Sequence, residues 1–310
     1  MMIWIPILIV NVVADSIRIF IDNYVSDYYF KGQHSVAQKT FYGWTDLLFG
    51  ILIGALFGAD FSTATISTII LLFLSGFIAS FGGIPYQRAL EIEDSTSIGI
   101  FIQFAPILYL ILGWFFLGQA FSPLQLVAFA FILSAPLVII FAARKKSRHL
   151  KIKAVLYALL YVVFYVTSTF IFVKEGTNGI SLVSAMSLVL AGKGIGSLAI
   201  IYTRPKLRKR FYHVATHSKN KVLKPMIINA FIGVIAHIFY RLALSLAPSA
   251  ALASAISDTS EPIFIFFMGI LLTLIWPKFG RESLTKKAVL AHLGATVLVV
   301  IGVVLMQIQI

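Results

Sequence analysis

Residues 86–107 read YQRALEIEDSTSIGIFIQFAPI, and residues 240–263 read YRLALSLAPSAALASAISDTSEPI. Tyr86, Ala89, Leu90 and Ser95 recur as Tyr240, Ala243, Leu244 and Ser249 at an offset of 154, and Pro106-Ile107 recurs as Pro262-Ile263 at 156. An offset of half a 310-residue chain marks an internal duplication, and a repeat governs how the rest is read.

The surroundings of the two copies set the solvent. Apolar residues make up 59% of the chain and charged residues 12%, with mean hydropathy +0.95. A soluble fold needs roughly a quarter of its residues charged to cover its surface, so the chain is expected in a bilayer. A spanning helix takes about 20 residues. Ten apolar stretches qualify, near 3–28, 41–59, 64–87, 95–118, 122–143, 152–173, 179–202, 225–246, 250–276 and 286–308. The first has no basic leader and carries charges in its middle, so it reads as a span and not as a cleavable signal. The turns at 118–123 and 247–249 are short and contain proline, which predicts antiparallel neighbours on either side.

Charge placement tests the count. With loops assigned alternately to two sides, one side carries 21 Lys and Arg and the other Lys174 alone. Basic residues are retained in the cytoplasm, so the basic loops are expected inside, the termini outside, and the protein in the cell membrane. The net charge of +13 then reports topology. The richest loop, 203–224, has eight Lys and Arg and no acid, which suits anionic lipid headgroups. Nucleic acid is not an expected partner, because only Phe211 and Tyr212 are there to stack bases.

Five spans per copy is an odd number, so the second copy enters the membrane from the opposite side. The expected fold is all-α and integral to the membrane: ten transmembrane helices as two inverted five-helix repeats, 1–145 and 146–310. That is an architecture of secondary transporters, whose solute site lies at the midplane between the copies. Ten spans in a five-plus-five duplication, Y-x-x-A-L, a proline in the following helix and a Gly-Gln turn at 118–119 resemble the drug/metabolite transporter superfamily, most closely EamA-type carriers. The resemblance implies a cavity lined by the first, third and fourth helices of each half. Gln119 stands where that family usually has an acid, and Glu282 lies beyond an extended 276–281 turn.

Ionisable groups in hydrocarbon cost about 2.5–3.5 kcal/mol each on insertion scales, so each needs a partner, a cavity or a function. Seven lie well inside the predicted spans: Asp15, Arg18, Asp22, Lys193, Arg241, Asp258 and Glu261. Asn11, Asp15, Arg18 and Asp22 are spaced 4, 3 and 4, which puts them on one helical face. They form either a self-neutralising Asp15–Arg18–Asp22 triad or a cavity wall that binds solute. The small multidrug resistance branch of the resembled superfamily places an acid at the depth of Asp15. In the ninth span Ser254, Asp258 and Glu261 share a face; carboxylates so placed repel at low dielectric, which makes Asp258 and Glu261 the proton-coupling candidates. Salt bridges from Arg241 or Lys193 are the alternative.

The eighth span carries Asn229, Gly233, His237 and Arg241 every fourth residue. His237 is either a satisfied core histidine or part of the cavity, and Arg241 either binds a solute carboxylate or pairs with the ninth span. Tyr157, Tyr161 and Tyr165 form an aromatic stripe on the sixth span, which either packs the core or receives an organic cation. Gln103 and Ser75 are lesser cavity candidates. Gly192 and Gly194 flank Lys193 without a preceding strand, so a phosphate loop is not implied, and Gly50, Gly54 and Gly58 read as helix packing.

The expected function is a secondary transporter that moves a small polar organic solute, zwitterionic or cationic, by alternating access. Coupling would run through Asp258 or Glu261. The alternatives are a flippase for a lipid-linked headgroup or an exchanger of nucleotide sugars or phosphorylated metabolites. An enzyme is not expected, because H-E-x-x-H, G-x-S-x-G and Asp-rich diphosphate motifs are missing from the sequence. With no cysteine, thiolate metal sites are excluded, and no cofactor or metal is expected.

Overall fold

The computed structural model describes residues 3–25, 35–90, 92, 101–102, 104–143, 151–176, 179–217, 220–275 and 286–307. The described residues are helices joined by turns, with no strand among them. In chain order the helices are α1 (Trp4–Val25), α2 (Ser35–Leu56), α3 (Ile66–Leu90), α4 (Ala105–Leu117), α5 (Pro123–Ala143), α6 (Ile152–Glu175), α7 (Leu182–Thr203), α8 (Pro205–His217), α9 (Asn220–Leu246), α10 (Ala250–Ile275) and α11 (Lys286–Gln307). Among the described residues, stretches of α1, α3, α6, α7, α9 and α10 are long and apolar enough to cross a membrane, and α2, α4, α5 and α11 carry shorter apolar stretches. The chain has the character of a multi-pass membrane protein.

Each helix satisfies its own backbone, the condition for crossing hydrocarbon. Its outward face can therefore stay apolar. Leu48, Ile51 and Leu52 on α2, Trp114, Phe115 and Phe116 on α4, and Val297, Val300 and Val304 on α11 are all exposed. In water, apolar belts of this extent would drive association; in a bilayer they are the lipid-facing surface.

The helices pair in a regular way. α1 packs on α9 and α10, α6 on α3 and α4, α2 on α7, α4 on α10, and α5 on α11. The main buried cluster draws on both sequence halves: Trp4 and Leu8 of α1, Tyr109 of α4, Ile132 of α5, Val162 and Val166 of α6, Tyr240 and Leu244 of α9, and the Ala250–Ile256 turn of α10. The short 118–122 connection does not make α4 and α5 close partners, as its length predicted. α5 lies instead along α11, and α4 along α10 and α6.

α7 sits closest to its neighbours because its sequence lets it. A Cβ at Gly76 of α3 would strike the Val189 carbonyl, and one at Gly192 would strike the Phe73 carbonyl. The two backbones therefore touch. Gly50 and Gly54 of α2 face Ala191 and Ser187, while Gly194 and Gly196 face Leu47 and Ser80. The glycines around Lys193 are thus a packing surface. Gly58 takes no part: it lies in the turn after α2 with φ +70°.

The turns gather at one end. Thr63 Oγ1 donates to the Gly179 carbonyl at 2.7 Å, and the Asp60 amide donates to Ser184 Oγ at 2.9 Å. Gln119, Gly176, Leu182 and the 247–249 turn share the wall of a cavity there. The other end carries α8, a finding the hydropathy reading did not anticipate: residues 205–217 of the basic loop are helical, packed against α2 and α7. Hydropathy sums charge and misses period, and a helix at an aqueous surface needs no net hydrophobicity.

Candidate functional site

The polar face of α1 meets α9 and α10, as a polar stripe on an apolar helix must meet protein or water. Asn11 is buried and ties three helices together. Its Nδ2 donates to Asp15 Oδ2 at 2.9 Å and to the Ala236 carbonyl at 3.1 Å, and its Oδ1 accepts from Ser257 Oγ at 3.0 Å. One helical turn on, Arg18 Nη1 pairs with Asp15 Oδ1 at 2.9 Å. The Arg18 stem runs across Gly233, where a Cβ would lie 3.1 Å from its Cδ. That explains the glycine in the α9 stripe.

Asp22 has other partners than the expected triad. Its Oδ1 accepts from Tyr42 Oη at 2.8 Å and from Asn229 Nδ2 at 2.6 Å, joining α1, α2 and α9. Arg18 stays within electrostatic reach of Asp15, Asp22 and Asp46. The face predicted from spacing is therefore real, but it divides into an Asp15–Arg18 pair and an Asp22 hydrogen-bond node.

Lys193 is held by a residue the sequence reading passed over. Its Nζ lies 3.0 Å from Asp46 Oδ2, an ion pair whose angle falls short of a hydrogen bond, and 2.6 Å from His237 Nε2. A cation this close to an imidazole nitrogen requires that nitrogen to accept, which makes His237 Nε2 the unprotonated position. His237 thereby joins a polar cluster that links α2, α7 and α9. The pairing expected between Lys193 and the acids of α10 is replaced by Asp46, which sits opposite on α2.

On α10, Ser254 Oγ donates to Asp258 Oδ2 at 2.9 Å. Asp15 and Asp258 stand within electrostatic reach of each other, so polar residues of α1 and α10 lie close together. Tyrosines lie beside them. Tyr161 and Tyr165 stack with ring centroids 5.9 Å apart, Tyr86 lies 4.9 Å from Tyr161, and Tyr165 Oη donates to Tyr240 Oη at 2.9 Å. Tyr86 and Tyr161 both feel Glu261 and Arg18. The side chains of Asp15, Arg18 and Lys193 keep 28%, 22% and 25% of their surface accessible. Groups at mid-helix with that much free surface border space, not a dry interface.

Arg241 has left this group. It is buried, with its guanidinium carbon 4.2 Å from the Phe172 ring centroid, and no ion pair to α10 is found among the described residues. Phe172 also lines the cavity at the turn end, about 250 Å³, together with Gln119, Lys174, Ser245 and Ser249. A second opening of about 340 Å³ at the basic end is bordered by Arg88, Lys153 and Tyr157.

Gln103 lies outside the described residues. Ser75 donates to the Ser168 carbonyl at 2.7 Å and is a packing contact between α3 and α6. The structure adds Asp46, Tyr42, Tyr86 and Tyr109 to the sequence-derived set. It also adds Glu175, buried and accepting from Thr68 Oγ1 at 3.0 Å. Asp46 was open to detection, since it stands six residues into an apolar stretch; nothing in the sequence distinguishes Tyr109. Outside the spans, the Ser62 amide and then its hydroxyl hold the Asp60 carboxyl below the usual carboxylate range. No group of three potential metal ligands occurs among the described residues.

No family model matches this chain, and no curated protein does. Solved structures do. One crystal structure of a protein aligns with 97% of this chain and 96% of its own, with a TM-score of 0.66 at 14% identity. At that identity the likeness is one of fold alone.

Proposed function

We propose that the protein is a secondary transporter that moves a small polar organic solute across the cell membrane by alternating access. The observation that carries this reading is the polar cluster in which Asp15 and Arg18 of α1, with accessible surface left to them, approach Asp258 of α10 beside Tyr86 and Tyr161. Polar groups with accessible surface in the middle of apolar helices are costly, and a passage for a polar solute explains why they are kept. Asp15, Asp22, Asp46, Asp258 and Glu261 outnumber Arg18 and Lys193 there, which favours a cationic or zwitterionic solute.

Ten spans in two inverted copies are part of this proposal. Helix pairing supports them. Exchanging α1, α2, α3, α4 and α5 with α6, α7, α9, α10 and α11 turns the α1–α9 contact into α6–α3 and the α1–α10 contact into α6–α4, while α2–α7, α4–α10 and α5–α11 map onto themselves; all are packed pairs. The recurrent Y-x-x-A-L and Pro-Ile motifs support membership in the drug/metabolite transporter superfamily. The copies also differ. Glycines bring α3 tightly against α7, whereas the equivalent α9–α2 contact is slighter and carries the Asn229–Tyr42 hydrogen bond. Two copies in unequal packing are what alternating access requires. The charge rule puts the basic end in the cytoplasm, with the proton carried by Asp258 or Glu261.

The test is a melting screen of the purified protein against amino acids, amines, sugars and nucleotides, followed by uptake of any stabilising compound in proteoliposomes. A ligand bound only by the folded state raises the melting point. Uptake of a stabilising solute is the expected result. A protein stabilised by lipid-linked headgroups and by no soluble compound would instead be a flippase.

A further inference from the structure

Two buried donors beside the tyrosine layer have no hydrogen-bond partner among the described residues: Arg241 Nη1 and Tyr109 Oη. Tyr109 points toward Thr169 and Tyr240 without completing a bond to either. Arg241 is 9% exposed, and its polar surroundings are Tyr109, Tyr240 and Tyr165. A guanidinium in hydrocarbon without a counter-charge is costly, and the Phe172 ring beneath it offsets only part of that cost. The fork of N–H donors on arginine matches a planar carboxylate, and a tyrosine hydroxyl adds a further donor.

The same tyrosines stand between this arginine and an acid. Tyr109, Tyr161, Tyr165 and Tyr240 all lie within electrostatic reach of Asp258, and Tyr109, Tyr165 and Tyr240 within reach of Arg241. A molecule spanning the layer would meet two donors at one end and a carboxylate at the other. Its entrance is present as well. Phe172 covers the guanidinium and lines the cavity of about 250 Å³ at the turn end.

We propose that Arg241 and Tyr109 receive the carboxylate of a zwitterionic, amino-acid-like solute whose ammonium group is taken by Asp258, with Phe172 as the gate between this site and the turn-end cavity. The proposal rests on the carrier reading above and narrows its solute class.

The test uses full-length protein and melting-point titration with the twenty L-amino acids and, for each one that stabilises, the amine lacking its carboxylate. At least one amino acid is expected to bind wild type, and Arg241→Gln to weaken it about 10–100-fold, the loss of a hydrogen bond to a charged group, while leaving the affinity for the amine unchanged. Tyr109→Phe, a milder change that keeps the ring, is expected to weaken the amino acid selectively and by less. The inference is overturned if no amino acid binds wild type, if Arg241→Gln binds it as tightly as wild type, or if amine and amino acid weaken together. If Arg241→Gln does not fold, Tyr109→Phe decides by the same criteria. Binding of amines or sugars but not amino acids overturns this inference and leaves the carrier reading standing; a wild type that binds nothing in the wider screen overturns both.

Discussion

Asp46 and Lys193 face each other across the α2–α7 seam, Oδ2 to Nζ 3.0 Å, in the middle of two apolar helices. Asp46 has no open exterior to fall back on: it keeps 6% of its side-chain surface accessible. Removing one partner leaves a charge in low dielectric, which costs about 3–5 kcal/mol in buried pairs. Lys193 is a quarter accessible, so Asp46→Asn is expected at the lower end of that range, read as a fall in melting temperature in detergent. Asp46→Asn with Lys193→Met is expected to recover most of the loss, because the orphaned charge is gone. A double variant as unstable as the single one would show that the pair holds nothing together.

Glycine spacing along α7 makes a second expectation. A Cβ at Gly192 meets the Phe73 carbonyl, a backbone atom that cannot turn aside. Gly192→Ala is expected to cost about 1–3 kcal/mol through overpacking. Gly294 on α11 has open space where its Cβ would lie, so Gly294→Ala is expected to be neutral or to stabilise by about 0.5–1 kcal/mol. Melting of the two variants side by side checks both.

Asp258 and Glu261 bear on energy coupling. In proteoliposomes, an imposed pH gradient is expected to drive uptake by wild type. Glu261→Gln is expected to abolish the gradient-driven part and to leave solute exchange running. Uptake that ignores the gradient in wild type would remove protons from the mechanism.

The orientation is testable without first removing native thiols, since the chain has no cysteine. Single cysteines at Gln119 or Ala120 are expected to react with an impermeant thiol reagent on intact cells. A cysteine at Lys209 on α8 is expected to react only after permeabilisation. The reverse pattern would put the basic end outside.

Asp60 supplies a pH-dependent local feature outside the membrane. Its Oδ1 accepts from the Ser62 amide at 2.8 Å, and this holds the folded carboxyl below its ordinary value. The stabilisation is present above the unfolded carboxylate range and is lost as pH falls through the lower, folded value. Exchange of the Ser62 amide, corrected for intrinsic rate, is expected to be protected near pH 6 and unprotected near pH 2. Equal protection at both would dismiss the contact.

The apolar stretches were legible because each helix closes its own hydrogen bonds, so length and composition decide where one forms. α1 at Trp4–Val25 and α6 at Ile152–Glu175 fall within a few residues of the stretches 3–28 and 152–173. α8 was not legible that way, because its residues are polar and one of the helices it packs on, α2, lies far away in sequence. The face made by Asn11, Asp15, Arg18 and Asp22 was also legible, since helical periodicity is a local property.

What stands opposite a face is not local. Periodicity put Asp22 beside Arg18, yet Tyr42 and Asn229 hold it. Lys193 meets Asp46 because glycines let α2 and α7 approach, and Arg241 turns to Phe172 away from the acids of α10. Composition and period by themselves determined an all-helical chain in a bilayer with polar stripes turned inward. Only the tertiary structure decided which charge answers which, because those distances depend on how closely helices far apart in the chain can pack.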